Sequence, residues 1–148
     1  MQWNVYLAGE IHTDWRTQII VESEGLGLPI FFTSAVTDHE ASDSAGDVLG
    51  KEVDQFWRDH KSSRVNGIRT RKLLEECDIA VIRFGDKYKQ WNAAFEAGYA
   101  VALSKSLIVM HNDDNQHALK EIDAMAQAVT SNVDEVVKIL NYSCNAKI

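Results

Sequence analysis

Two stretches of the chain carry residue types that could do chemistry. The first is the helix-like run from Trp91 to Leu103, in which Glu96 stands among alanines and glycine. Asn92 is the expected N-cap. That places Glu96 near the first turn, where free N–H groups and the macrodipole favour an anion and would keep its carboxylate ionised. At the edge of a sheet such a carboxylate could meet a ligand, whereas one in water is an ordinary solvated or capping glutamate. The second stretch, 33–46, is polar, acidic and without apolar period. Its Asp38, His39 and Asp43 could meet a ligand, and His39 could exchange a proton near neutral pH.

These residues need elements to hold them. Trp3 to Leu7 is a short β-prone run closed by Ala8, Gly9 and Glu10, and Gly9 would allow a ligand or another backbone to come close. A helix capped by Thr13 or Asp14 follows, with Trp15, Ile19 and Leu26 on its buried side and Gly25 and Gly27 at its end. Residues 28–32 form the next strand. Ser44-x-x-Asp47 resembles a capping box for a helix burying Val48, Leu49, Val53, Phe56 and Trp57, and running to about Glu76. That helix bears Arg58, Lys61, Arg64, Arg69, Arg71 and Lys72, a set that reads as a solvated face or, alternatively, as an attraction for a phosphate.

Ile79 to Ile82 is an apolar strand, and a polar turn from Phe84 to Gln90 separates it from the Glu96 helix. In that helix Ala94, Ala97, Gly98, Val101 and Ala102 make a thin apolar face suited to close packing on a sheet. A strand over 106–110 follows, then a helix with Ala118, Leu119, Ile122 and Met125 inward. A short strand over 127–130 leads to a last helix capped by Ser131-x-x-Asp134, with a tail after Tyr142. Strands alternating with helices five times imply an α/β, doubly wound, five-stranded parallel sheet, for which the order 2-1-3-4-5 is expected. Ligands then lie at the switch point, where the segment 6–12, the loop after Phe32 and the segment 85–96 converge.

Composition narrows the partners. The 148 residues are 45% hydrophobic and 25% charged, which suits a single domain over 1–148 with an apolar core. A net charge of -7 and a pI near 5.1 argue against binding a nucleic acid polymer or an anionic membrane and leave a small molecule as the natural partner. Cys77 and Cys144 form no zinc or disulfide spacing, and no metal or cofactor is expected. No apolar run reaches membrane-spanning length and the start lacks a basic leader, so a cytoplasmic location is expected.

Several of these segments resemble a known superfamily. Tyr6-Leu7-Ala8-Gly9, Asn66-Gly67-Ile68, Cys77-Asp78 before an apolar strand, and Phe95 to Ala100 followed by Lys105 are similar to the nucleoside 2-deoxyribosyltransferases. The run from Arg83 to Phe95, with Thr37 to Ser42 and His117 to Glu121, more closely resembles the YtoQ family over nearly the whole chain. The resemblance implies a flavodoxin-like fold and a double displacement at the anomeric carbon of a deoxynucleoside, in the manner of retaining glycosidases. It implies Glu96 as nucleophile, Tyr6 as the residue that orients it, and a homo-oligomer in which neighbouring subunits help close each site.

The match is incomplete where the superfamily places two aspartates, six residues before the nucleophile and three before the glycine of Asn-Gly-Ile. Here these are Gln90 and Arg64. Gln90 can hydrogen-bond a sugar hydroxyl but cannot deliver a proton, and Arg64 prefers an anion. Asp86, Asp38 or His39 would have to act as the acid. Tyr88 and Trp91 would stack on the base or serve as core or interface residues, and Gly9 and Asn92 would complete the binding surface. The resulting expectation is an enzyme of nucleoside or nucleotide N-glycosidic bonds, by deoxyribosyl transfer or hydrolysis. The alternative is a catalytically inactive nucleoside- or nucleotide-binding module on the same fold.

Overall fold

The structure is a computed structural model that describes residues 1–145. Its strands β1 (Trp3–Gly9), β2 (Ile30–Ser34), β3 (Ile79–Arg83), β4 (Ser106–Met110) and β5 (Ala128–Thr130) form one parallel sheet in the order β2-β1-β3-β4-β5. Tyr6 pairs with Thr33 of β2 on one side and Ala80 of β3 on the other, so β1 lies inside the sheet and its carboxyl end meets that of β3. The doubly wound, flavodoxin-like α/β architecture is therefore as expected.

Side chains that alternate along the strands divide the core in two. Val5, Leu7, Val81, Ile108 and Met110 face α1 (Trp15–Gly25) and α6 (Val133–Asn145), where Trp15, Ile19, Val136 and Leu140 are buried. Tyr6, Ala8, Ala80, Ile82, Leu107 and Val109 face the other layer. That layer comprises α3 (Gln55–Glu76), α4 (Trp91–Ala102) and α5 (Gln116–Met125). Ala8 and Ala80 are small on the sheet side and Ala93, Ala97 and Ala100 are small on the helix side, so α4 packs closely on the carboxyl half of β1 and β3.

The face that α4 buries differs from the expected one. Ala93, Glu96, Ala97 and Ala100 turn inward, while Gly98 and Ala102 are exposed. Gln90, not Asn92, occupies the N-cap position, and its side chain makes no capping hydrogen bond to the helix. A run of alanines offers several equivalent faces, and the Glu96–Tyr6 approach selects among them.

Other boundaries shift for local reasons. Residues 28 and 29 close the turn after α1, since Leu28 donates to the Ser23 carbonyl, and β2 therefore starts at Ile30. Leu26 is exposed. Asp14 stands at the N-cap of α1, but its carboxylate takes the Gln18 amide instead of a backbone N–H. Within the expected loop, Asp38 accepts from the Ala41 N–H at 3.0 Å and caps a short helix, α2 (His39–Asp43).

The Ser44-x-x-Asp47 box is replaced by a 3-10 turn over Ala45–Leu49, with Asp47 donating to the Ser44 carbonyl. α3 starts only at Gln55, capped by Asp54, whose carboxylate accepts from the Trp57 N–H. Val48, Leu49, Val53, Phe56 and Trp57 are consequently exposed instead of buried. At α6 the cap is one residue later than expected: Asn132 accepts from the Glu135 N–H at 3.0 Å, and Glu135 reaches back past it to accept from the Ser131 N–H at 2.7 Å. Met125 is exposed, β5 begins at Ala128, and α6 continues through Asn145. The remainder of the expected tail, 146–148, lies outside the described residues.

Candidate active site

Strand β1 ends in a conformation that only glycine takes readily. Gly9 has φ of 111°, and a Cβ there would sit 1.9 Å from the Arg83 carbonyl oxygen. The chain can therefore turn off the sheet edge against β3 and set Glu10 beneath the turn that follows. Glu10 is 3% exposed. Its carboxylate accepts from the His12 N–H and from the Thr13 hydroxyl at 2.6 Å, with Arg83 Nε 3.5 Å away. Gly85 packs over it, since a Cβ at that position would come within 2.4 Å of Glu10 Cγ.

A cavity of about 650 Å³ opens at these carboxyl ends, a size ordinary for a small-molecule site. Its floor is Gly9, Glu10, Ala93, Glu96 and Thr70, and one wall is α2 with Asp38, His39, Ser42 and Asp43. The opposite wall is the turn before α4, with Tyr88, Lys89, Gln90, Trp91 and Asn92. His12 joins the two walls: its ring centroid lies 4.7 Å from that of Tyr88 and 6.0 Å from that of His39.

Glu96 lines this cavity while only 8% exposed. Burial raises its pKa to about 7, and the Tyr6 hydroxyl and then the Arg16 charge act in the opposite direction. The expectation of a readily ionised carboxylate is thus corrected. Glu96 is the sixth residue of α4, beyond the free N–H groups of the first turn, and loses hydration that the dipole does not replace. Tyr6 lies beneath it, fully buried. Its hydroxyl makes no hydrogen bond of regular geometry, with Glu96 and Thr70 as its polar neighbours, and burial followed by the Glu96 charge raises its pKa well above the usual phenol range.

Most residues singled out from the sequence meet here: Glu96, Gly9, Asp38, His39, Tyr88, Gln90, Trp91 and Asn92 line one cavity. Gln90 is partly committed, because its side-chain oxygen accepts from the Gly85 N–H at 3.1 Å. Asp86 does not line the cavity; its carboxylate points away to the Asn112 side-chain amide. Four of the six basic residues singled out on α3 are also engaged elsewhere. Lys61 binds Glu52 and the Gly50 carbonyl, Arg69 the Ser34 carbonyl, Arg71 Glu75, and Lys72 Glu76.

Glu10, His12, Arg16 and Thr70 were not singled out from the sequence. Arg16 donates from Nη1 to the Glu10 carbonyl at 2.5 Å, from Nη2 to the Gly9 carbonyl at 3.0 Å and from Nε to the Leu7 carbonyl at 3.5 Å. It also lies over the Trp15 ring at 4.6 Å, and Trp15 Nε1 donates to the Glu10 carbonyl at 2.8 Å. The available signal was a charged residue directly after a strand-ending glycine, and an arginine in the first turn of the next helix.

A parallel sheet ordered 2-1-3-4-5 with a buried carboxyl at its switch point defines the class: a flavodoxin-like protein of the deoxyribosyltransferase-like fold. The chain belongs to the family described as nucleoside 2-deoxyribosyltransferase YtoQ, whose model matches residues 6–144. It is 38% identical over 143 residues to the uncharacterized protein YtoQ of Bacillus subtilis (strain 168), covering 96% of this chain and 97% of that one.

Solved structures share the fold. A conserved protein from Enterococcus faecalis V583 superposes with a TM-score of 0.64 at 12% identity, over 97% of this chain and 99% of that one. A 2-deoxyribosyltransferase from Bacillus psychrosaccharolyticus gives 0.53 at 15% identity over 90% of each chain. The CMP N-glycosidase BcmB of Clostridium botulinum gives 0.50 at 12% identity, over 95% of this chain and 98% of that one.

Proposed function

We propose that this protein cleaves the N-glycosidic bond of a nucleoside or nucleotide through a glycosyl-enzyme at Glu96. The observation that carries the reading is a buried carboxyl lining a cavity at the switch point, in a chain of the YtoQ family. A Glu96 carboxylate oxygen bonds to the anomeric carbon as the bond from that carbon to the base nitrogen breaks. The electron pair of the broken bond goes to the base, which takes a proton from a cavity acid. Water or a second base then attacks the same carbon and returns the carboxylate.

His39 is better placed than Asp86 to supply the proton, since it lines the cavity and Asp86 does not. Tyr6 would hold the nucleophile from beneath, and Tyr88 and Trp91 would flank the base. The carboxylate form of Glu96 is the nucleophile, so the acid limb of kcat/KM is expected near pH 7, with activity rising as pH rises. The test is incubation with a panel of deoxynucleosides, ribonucleosides and their 5'-phosphates, reading released base. Cleavage by the native chain that vanishes in Glu96→Ala supports the reading, and cleavage that survives removes Glu96 from it.

A binding module on the same fold is the second reading. Gln90 favours it, because a side chain already accepting the Gly85 N–H replaces the aspartate implied by the resemblance. Binding of a nucleotide without cleavage, unchanged in Glu96→Gln, would establish it. Under either reading a second copy of the chain covers the apolar residues left outside, among them Val53, Phe56 and Trp57, in a homo-oligomer.

A further inference from the structure

The Arg16 guanidinium is half-buried, and its hydrogen bonds all run to main-chain carbonyls: those of Leu7, Gly9 and Glu10, at the carboxyl end of β1. Two of those residues, Gly9 and Glu10, form the cavity floor. Among the described residues no carboxylate lies within ion-pair distance of Arg16; the Glu10 carboxylate instead faces Arg83. The cation is held by the three carbonyls and lies over the Trp15 ring.

We propose that Arg16 is a positioning residue of the active site, clamping the Gly9–Glu10 floor through its carbonyls and keeping its positive charge behind the floor that Glu96 also lines. The inference rests on the reading of Glu96 as the reactive carboxylate. An arginine whose donors are spent on carbonyls keeps its full charge, because carbonyl dipoles orient it without neutralising it. The charged and titratable groups acting around this centre are Tyr6 on β1, Glu96 on α4, Glu10 after β1, Arg83 on β3 and, beyond Tyr6, Arg69 on α3. Burial opposes ionisation of Glu96, and the Tyr6 hydroxyl and then the Arg16 charge favour it.

The clamp also explains why a fork and not a point charge stands here. A lysine would retain the charge but could not hold the Leu7, Gly9 and Glu10 carbonyls with one rigid fork. Loss of charge and loss of geometry are therefore separable.

The test uses the full chain with 13C-labelled glutamate. The Glu96 carboxyl signal is assigned by its absence in Glu96→Gln and titrated in the native protein, Arg16→Lys, Arg16→Met and Arg16→Gln. The midpoint is expected to rise by about one unit in Arg16→Met and to stay near the native value in Arg16→Lys. Where the methionine variant does not fold, the glutamine variant gives the same comparison. With a substrate from the cleavage panel, Arg16→Lys is expected to lower kcat about tenfold or more with KM little changed, because the charge remains and the floor is loosened. A Glu96 midpoint unmoved in the folded neutral variants, or native kcat in Arg16→Lys, overturns the proposal. Neither result bears on the nucleophile, whose own failure would be cleavage persisting in Glu96→Gln.

Discussion

Glu96 holds a charge where the fold resists one, so reactivity and stability oppose each other at this residue. An unfolded glutamate titrates near 4.5 and the folded one near 7, so the native state binds the extra proton between those values. Stability contributed by this site is unaffected below pH 4.5, falls as pH rises from 4.5 to 7, and stays reduced above. The full difference is up to about 3 kcal/mol. Glu96→Gln is expected to abolish cleavage yet to be more stable than the native chain at pH 8 and equally stable at pH 4, read by urea denaturation. Tyr6→Phe removes a buried hydroxyl with no regular partner, so its stability should change by less than about 1 kcal/mol while kcat falls. Gly9→Ala meets the Arg83 carbonyl and a left-handed φ together, and a loss of about 3 kcal/mol or more is expected in the same assay.

At the scale of elements, the strands were more legible than the helix faces. β3 and β4 are continuous apolar runs bounded by polar turns, a pattern that a strand covered on both sides must show. α4 was recognisable as a helix, but a string of alanines does not say which face goes inward; Tyr6 and Glu96 decide that across two elements. α2 is too short for a period to register, and it exists because Asp38 ties down the Ala41 N–H. Asp38→Ala should cost about 1 kcal/mol and loosen the wall that carries His39. The measurement is faster hydrogen exchange at Ala41, with that at Leu107 unchanged. Arg16 escaped the sequence reading because it works on main-chain oxygens, which leave no trace in side-chain patterns. Asp86 misled because nearness along the chain does not fix the direction in which a carboxylate points.

Across the whole molecule, the apolar residues expected in the core of the α3 region are outside it. Phe56 is 66% exposed and Trp57 53%, and their rings meet edge to face at 5.1 Å. The native chain is expected to sediment above its 16.6 kDa monomer mass, and Phe56→Asp with Trp57→Glu to sediment as a monomer that retains the native melting temperature.

The sheet order imposes a timetable on biosynthesis. The backbone N–H of Asn4 donates to the Asp78 carboxylate across 74 residues, and β1 gains its inner neighbour only when β3 arrives. A nascent chain halted before Ile79 would leave the ribosome with the inner edge of β1 bare as well as the outer edge of β2, open to proteases and to chaperones that grip extended peptide.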